Sequence, residues 1–177
     1  MPVRMELSRI LIRELSDYRL IELREVAPTS PEITDLTDTA GGKDPSAAKP
    51  TYSQVEGGRS FPIVIGLTEA QAIERGLKGI VIKRPQTHDL LANVITALGG
   101  TLESICINDL AEHTFFAQLN IRTADGKLVQ VDSRPSDAIA LGIGKNVPIL
   151  VEEHVLDAAQ RDDDSTPDDE TDPDTPE

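Results

Sequence analysis

Apolar and polar residues alternate over residues 117–122, a pattern that sets Phe115, Ala117, Leu119 and Ile121 on one side and Phe116, Gln118, Asn120 and Arg122 on the other. That two-residue period is the mark of a half-buried antiparallel strand. Residues 5–15 and 18–26 interleave Ile, Leu and Val with charge around Ser16-Asp17, which predicts a hairpin. Residues 101–110 and 114–123 predict a second strand pair, joined through Ala111-Glu112-His113. Asp125-Gly126, a strong hairpin signal, then leads into a third strand over 127–132. Short apolar segments at 61–65 and 148–151 add further strands. With Val129 and Val131 pointing inward, alternation turns Asp132 to the opposite face.

The helical period appears most clearly in Leu90, Leu91, Val94, Ile95 and Leu98, a stripe closed by Gly99-Gly100. This stripe predicts a helix with that face buried and His88 near its edge. A shorter helix is expected over 68–76, where Thr68 and Gln71 have the spacing of a capping box and Glu69 suits the first turn. A terminal helical turn or two follows over 155–160. The fold class read from this order is α+β: a mostly antiparallel sheet with short helices packed on it, in one domain over residues 1–160.

Two stretches carry no period. Residues 27–58 hold four prolines, four glycines and few large apolar side chains, and read as a flexible insertion. Residues 161–177 are dominated by Asp, Pro and Thr and read as a disordered acidic tail. The formal charge of -14 is concentrated there: the residues after Arg161 carry seven Asp, two Glu and no base. The body of the chain is thus only mildly acidic. That is still the wrong sign for gripping nucleic acid by general charge, so phosphate chemistry must rest on a local cluster of bases or on a metal ion.

No stretch approaches membrane-spanning length and no leader has a signal-peptide pattern, so a cytoplasmic protein with no membrane partner is expected. The single Cys106 excludes an intrachain disulfide and sits in an apolar run, where an inert buried thiol is expected. His88, His113 and His154 show no metal-ligand spacing. Exposed sheet edges make a homo-oligomer the expected state.

Two motifs about fifty residues apart share one grammar: Arg84 to Leu91, RPQTHDLL, and Arg134 to Leu141, RPSDAIAL. Each sets an Arg-Pro ahead of a helix, then a hydroxyl residue suited to capping (Thr87 or Ser136), then a carboxylate (Asp89 or Asp137). A guanidinium beside the free N–H groups of a helix start is an anion site, and phosphate is the obvious biological anion. The bland alternative is that each Asp serves its helix dipole and each Arg is its salt-bridge partner. Asp132 and Asp137 also flank Arg134 closely enough to hold a divalent metal, although a structural ion-pair network is the commoner outcome.

Residues 61–156 resemble the bifunctional nuclease domain, a family long catalogued as a domain of unknown function. The resemblance is carried by FPIVIG with the following EAQAI, then RPQTHDLL, ICINDL, FFAQL, and VDSRPSDAIAL with PILVEEHVL. It implies an α+β fold and, for some members, hydrolysis of both DNA and RNA without marked sequence selectivity. Departures are the insertion over 27–58 and Gly142-Ile143-Gly144-Lys145, where the family tends to carry a basic residue on a continuing helix.

The expected activity is metal-assisted phosphodiester hydrolysis. In it Lys83, Arg84 and Arg134 bind substrate phosphates. Asp132 and Asp137 coordinate Mg²⁺ or Mn²⁺, with Asp89 as a candidate third carboxylate among the catalytic residues, and His88 moves the proton. The rival expectation is a non-catalytic binding or regulatory module in which both motifs are ion-pair elements of the fold.

Overall fold

The computed structural model describes residues 1–12, 19–29 and 50–163. Strands β1 (Val3–Ile12) and β2 (Arg19–Pro28) pair antiparallel as the alternation requires; the Ser16-Asp17 turn lies outside the described residues. The other edge of β2 takes two partners. A short β3 (Tyr52–Gln54) pairs at Val26, Ala27 and Pro28, and β4 (Ser60–Ile65) pairs along residues 19–24. The segment expected to be an unstructured insertion therefore contributes a strand, because the backbone groups of 52–54 find partners on β2. Residues 30–49 lie outside the described residues.

After helices α1 (Leu67–Lys78) and α2 (Thr87–Ala97), strands β5 (Thr101–Ala111), β6 (Thr114–Arg122) and β7 (Leu128–Ser133) form the expected antiparallel meander. Helix α3 (Pro135–Gly142) and a 3-10 turn (Ile143–Lys145) lead to β8 (Ile149–Val151). Helix α4 (Glu153–Asp163) closes the described chain, and residues 164–177 of the acidic tail lie beyond it. The three-residue β8 joins the sheet's two halves, running antiparallel to β1 and parallel to β5.

Register decides which residues share a face. Met5, Ile149, Ile105 and Leu119 stand opposite one another across the sheet in the core, whereas Val131, next in that row, and Val129 are exposed on the edge strand rather than inward as alternation predicts. Ala70 and Ile73 of α1, Ala92 of α2, Ile139 of α3, and Val155 and Leu156 of α4 pack into the same core. The adjacent row, Arg4, Leu150, Cys106, Gln118 and Asp132, takes the other face. The sheet curls strongly: Phe61 of β4 and Phe115 of β6 have four strands between them in sheet order, yet their rings stack at 5.2 Å.

The fold is α+β with a mostly antiparallel sheet, as the sequence pattern predicts. Cys106 is buried, and burial together with the charge of Glu152 pushes its thiol up to about 11, so it is held as an unreactive neutral group. Among the described residues no helix is long and apolar enough to cross a membrane.

Candidate active site at three converging helix starts

The first turns of α1, α2 and α3 are built alike. The N-caps are Gly66, Gln86 and Arg134, which places Glu69, Asp89 and Asp137 each at the third helical position. A carboxylate there is favoured by the helix dipole and can fold back onto the free N–H groups of its own helix. Asp89 does so, accepting the Gln86 backbone N–H at 3.0 Å in a capping box. The hydroxyls expected to cap do not: no side-chain cap bond comes from Thr68, Thr87 or Ser136, because each helix starts one or two residues away from the cap its sequence suggested.

Glu69 and Asp137 are tied together by one guanidinium. Arg134 Nε donates to Asp137 Oδ2 at 2.7 Å and its Nη2 donates to Glu69 Oε1 at 2.8 Å. The other oxygen of Asp137, Oδ1, lies 3.1 Å from His88 Nε2. Burial works to raise the Asp137 pKa, yet the hydrogen bonds and charges of Arg134 and His88 outweigh it and hold the carboxyl below the ordinary aspartate range. An ionised acceptor requires Nε2 of the neutral imidazole to carry the hydrogen, which leaves Nδ1 as the basic atom. The His88 side chain is only 13% exposed, so the ring is held by packing as well as by Asp137.

Beside this chain of ion pairs is a cavity of about 240 Å³ between α1, α2 and α3. Arg75, His88, Asp89, Asn93 and Lys145 contribute its polar lining. Arg75 has a loose ion pair to Asp89 at 3.9 Å, and among the described residues Lys145 has no hydrogen bond or ion pair. A histidine oriented by a carboxylate, with two cations around one cavity, can move a proton beside a bound anion.

The bifunctional nuclease domain model matches residues 52–164, and this span covers all four helices and the whole of the cavity. The chain belongs to the bifunctional nuclease domain family. Two uncharacterized proteins of Mycobacterium tuberculosis, from strains CDC 1551 and H37Rv, are each 43% identical to it over 103 residues. The match takes in 58% of this chain and 60% of each relative, so the chain spans about three-fifths of the length of the curated relatives it matches.

Within this bifunctional nuclease domain, the structure brings together only some of the residues singled out from the sequence. His88 and Asp137 meet, and the two Arg-Pro motifs converge as expected. Asp132 stands apart from them. It pairs with Gln118 on β6, so strand alternation turns its side chain to the face away from α3, where it is exposed and without a partner among the described residues. The proposed metal pair of Asp132 and Asp137 is therefore not assembled. Both oxygens of Asp137 are engaged, and no group of three or more His, Cys, Asp or Glu side chains among the described residues could hold a metal.

Lys83 and Arg84 are exposed in the loop before α2 and make no ion pair among the described residues, so Arg84 is not the salt-bridge partner of Asp89. Arg134 is shared between two carboxylates through Nε and Nη2, while its side chain stays 68% exposed.

The sequence pattern misassigned the face of α2. Its buried line is His88, Ala92 and Ile95, whereas Leu90, Leu91, Val94 and Leu98 are exposed. His88 thus sits within the inward face rather than at its edge. Arg75, Glu69 and Lys145 had no motif to mark them; a base in a last helical turn and an acid in a first turn both read as dipole partners. The Gly-Ile-Gly-Lys departure from the family pattern also has a structural reason. A Cβ on Gly76 would lie 2.5 Å from Ile143 Cγ2 and 3.3 Å from the Gly144 nitrogen, so α1 packs directly on the 3-10 turn, and that turn delivers Lys145 to the cavity.

Proposed function

We propose that this domain binds and hydrolyses phosphodiester bonds of DNA and RNA at the cavity between α1, α2 and α3. The observation that carries the reading is the His88 ring, bonded to Asp137, lining a cavity that Arg75 and Lys145 also line. In the proposed reaction Arg75 and Lys145 hold the non-bridging phosphate oxygens, and Lys83 and Arg84 add charge nearby. Nδ1 of His88 accepts a proton from water as the water oxygen bonds to phosphorus. It returns that proton to the leaving oxygen as the P–O bond breaks. Asp137 keeps the imidazole in the required tautomer, and Arg134, anchored by Glu69, positions Asp137. The described residues hold no group of three or more candidate metal ligands, so the proton transfer is assigned to side chains, and whether Mg²⁺ or Mn²⁺ assists is left to the assay. The test is hydrolysis of bis(p-nitrophenyl) phosphate, single-stranded DNA and RNA by protein freed of contaminating nuclease, with EDTA and with Mg²⁺ or Mn²⁺. Turnover that disappears in His88→Gln supports the assignment, and turnover that survives it refutes it.

A second reading, a binding or regulatory module without catalysis, is favoured by one observation: Asp89, Asp137 and Arg134 are already satisfied by internal partners. Oligonucleotide binding with no cleavage under any of these conditions selects it.

Self-association belongs to the same proposal, with a second copy of this chain as the partner. Among the described residues β7 has no neighbour on its outer edge, and its Leu128, Val129 and Val131 are exposed. An antiparallel copy of the same edge supplies matching backbone donors and acceptors around a two-fold axis. The outward apolar side chains of α2 enlarge the surface to be covered.

A further inference from the structure

The cavity next to His88 does not end at its polar lining. A second cavity of about 290 Å³ adjoins it, and the two share Ala92, Leu141 and Lys145 in their walls. The character of the lining changes from one to the other. The first is lined by Arg75, His88, Asp89 and Asn93, and the second by Ile95, Leu102 and Val147 with Thr96 and Thr101 at its polar margin. Lys145, on the turn held down by Gly76, stands at the junction. Gly100 lines the second cavity where the backbone packs closely, since a Cβ there would come within 3.1 Å of Ile95 and 3.2 Å of Ile121.

From this arrangement we propose that the second cavity is a nucleobase subsite and that the domain acts on unpaired strands in preference to duplex. The inference rests on the reading of the first cavity as a phosphodiester site and names the substrate class for it. A nucleotide is itself bipartite: a charged phosphate joined through a sugar to a flat, largely apolar ring. A charged cavity opening into an apolar one matches that division. In a duplex every base is stacked and paired, so only phosphates reach a protein surface and the apolar cavity stays empty. An unpaired base is free to turn inward and leave water. The walls are aliphatic rather than aromatic and offer few polar groups, so the subsite accepts any base, in keeping with a site that does not read sequence.

The test uses the full chain and separates this proposal from hydrolysis itself. Binding of a fluorescein-labelled single-stranded oligonucleotide, and of the same strand annealed to its complement, is followed by anisotropy at one salt concentration. Turnover of bis(p-nitrophenyl) phosphate is measured alongside. Thr96→Phe and Thr101→Phe replace exposed margin residues and fill the second cavity without disturbing the core. The wild type is expected to bind the single strand about tenfold tighter than the duplex. Both variants should lose that preference while turnover of the small diester stays unchanged. Equal affinity for single strand and duplex, or single-strand binding untouched by both Phe variants, overturns the proposal. If the small diester is not turned over but the strand preference exists and the variants abolish it, the hydrolytic reading fails and the base subsite stands.

Discussion

His88 Nε2 and Asp137 Oδ1 lie 3.1 Å apart although 49 residues separate them in the chain. The pair joins the first turn of α2 to the first turn of α3. It leaves the Nδ1 atom as the group able to take a proton. Replacing His88 by Gln should lower turnover of bis(p-nitrophenyl) phosphate by about 10²-fold or more, the usual size of a lost general base. Asp137→Asn keeps the shape but removes the charge that fixes the tautomer, so turnover should fall and its pH profile should shift. An unshifted profile would assign Asp137 to the fold alone.

Arg134 bridges Glu69 and Asp137 with two different nitrogens, a geometry that an ammonium cannot reproduce. Arg134→Lys should therefore behave like Arg134→Ala in turnover rather than rescue it. If Arg134 instead bound substrate as a point charge, Lys would restore most of the KM. Comparing kcat and KM for the two variants distinguishes these roles.

The Asp137 carboxyl titrates below its ordinary value in the folded protein. Glu25 behaves likewise, chiefly because Arg59 donates to it, with burial opposing. For a carboxyl depressed in the folded state, the unfolded chain binds the proton more readily, so stability is complete above the ordinary carboxylate pKa and lost as pH falls through the depressed value. Thermal midpoints should hold between about pH 7 and 5 and drop below about pH 4. The drop should be shallower in Asp137→Asn, measured by circular dichroism melts across that range.

Gly142 ends α3 at a point of close packing. A Cβ there would stand 2.7 Å from Ile105 Cδ1 and 3.0 Å from Val147 Cβ. Gly142→Ala should destabilise by about 1–3 kcal/mol, the range for overpacking a core. The urea midpoint is the measurement. An unchanged midpoint would mean that the Ile105 and Val147 side chains yield without strain.

Leu98 is 80% exposed at the end of α2, and Val131 is 42% exposed on the free edge of β7. Val131→Lys places a charge on that edge, and Leu98→Glu places one on the helix. If copies of the chain associate through this region, both variants should shift the mass found by light scattering towards the monomer without lowering the melting temperature. A wild type that is monomeric at all concentrations would refute the association.

Strands were far more legible in the sequence than helix faces, and the reason is physical. Alternation over residues 117–122 has one interpretation, since a half-buried strand must send its apolar side chains to one side. It also placed Asp132 opposite Val131, which proved to be what separates Asp132 from Asp137. In α2 the rule that apolar means inward failed. The small Ala92 and the polar His88 line the packed side, while the large Leu90, Leu91 and Val94 face out. The helix starts were misread for a related reason: Thr68, Thr87 and Ser136 fit the cap pattern, but Gly66, Gln86 and Arg134 occupy the cap positions. The meeting of Asp137 with His88 could be hoped for from the twin motifs. The recruitment of Arg75 and Lys145 could not, because it depends on how closely α1 packs on the 3-10 turn through Gly76.

The brevity of β8 has a consequence for how the molecule is made. Residues 149–151 are the seam between the β1–β2–β4 ribbon and the β5–β6–β7 meander, and they are synthesised after every other strand among the described residues. Until they emerge, two half-sheets with incomplete cores must wait side by side, each with a raw edge. Assembly is thus a late zipping event, and the fully buried Val151 and nearly buried Ile149 are the pins that lock the two halves into one core.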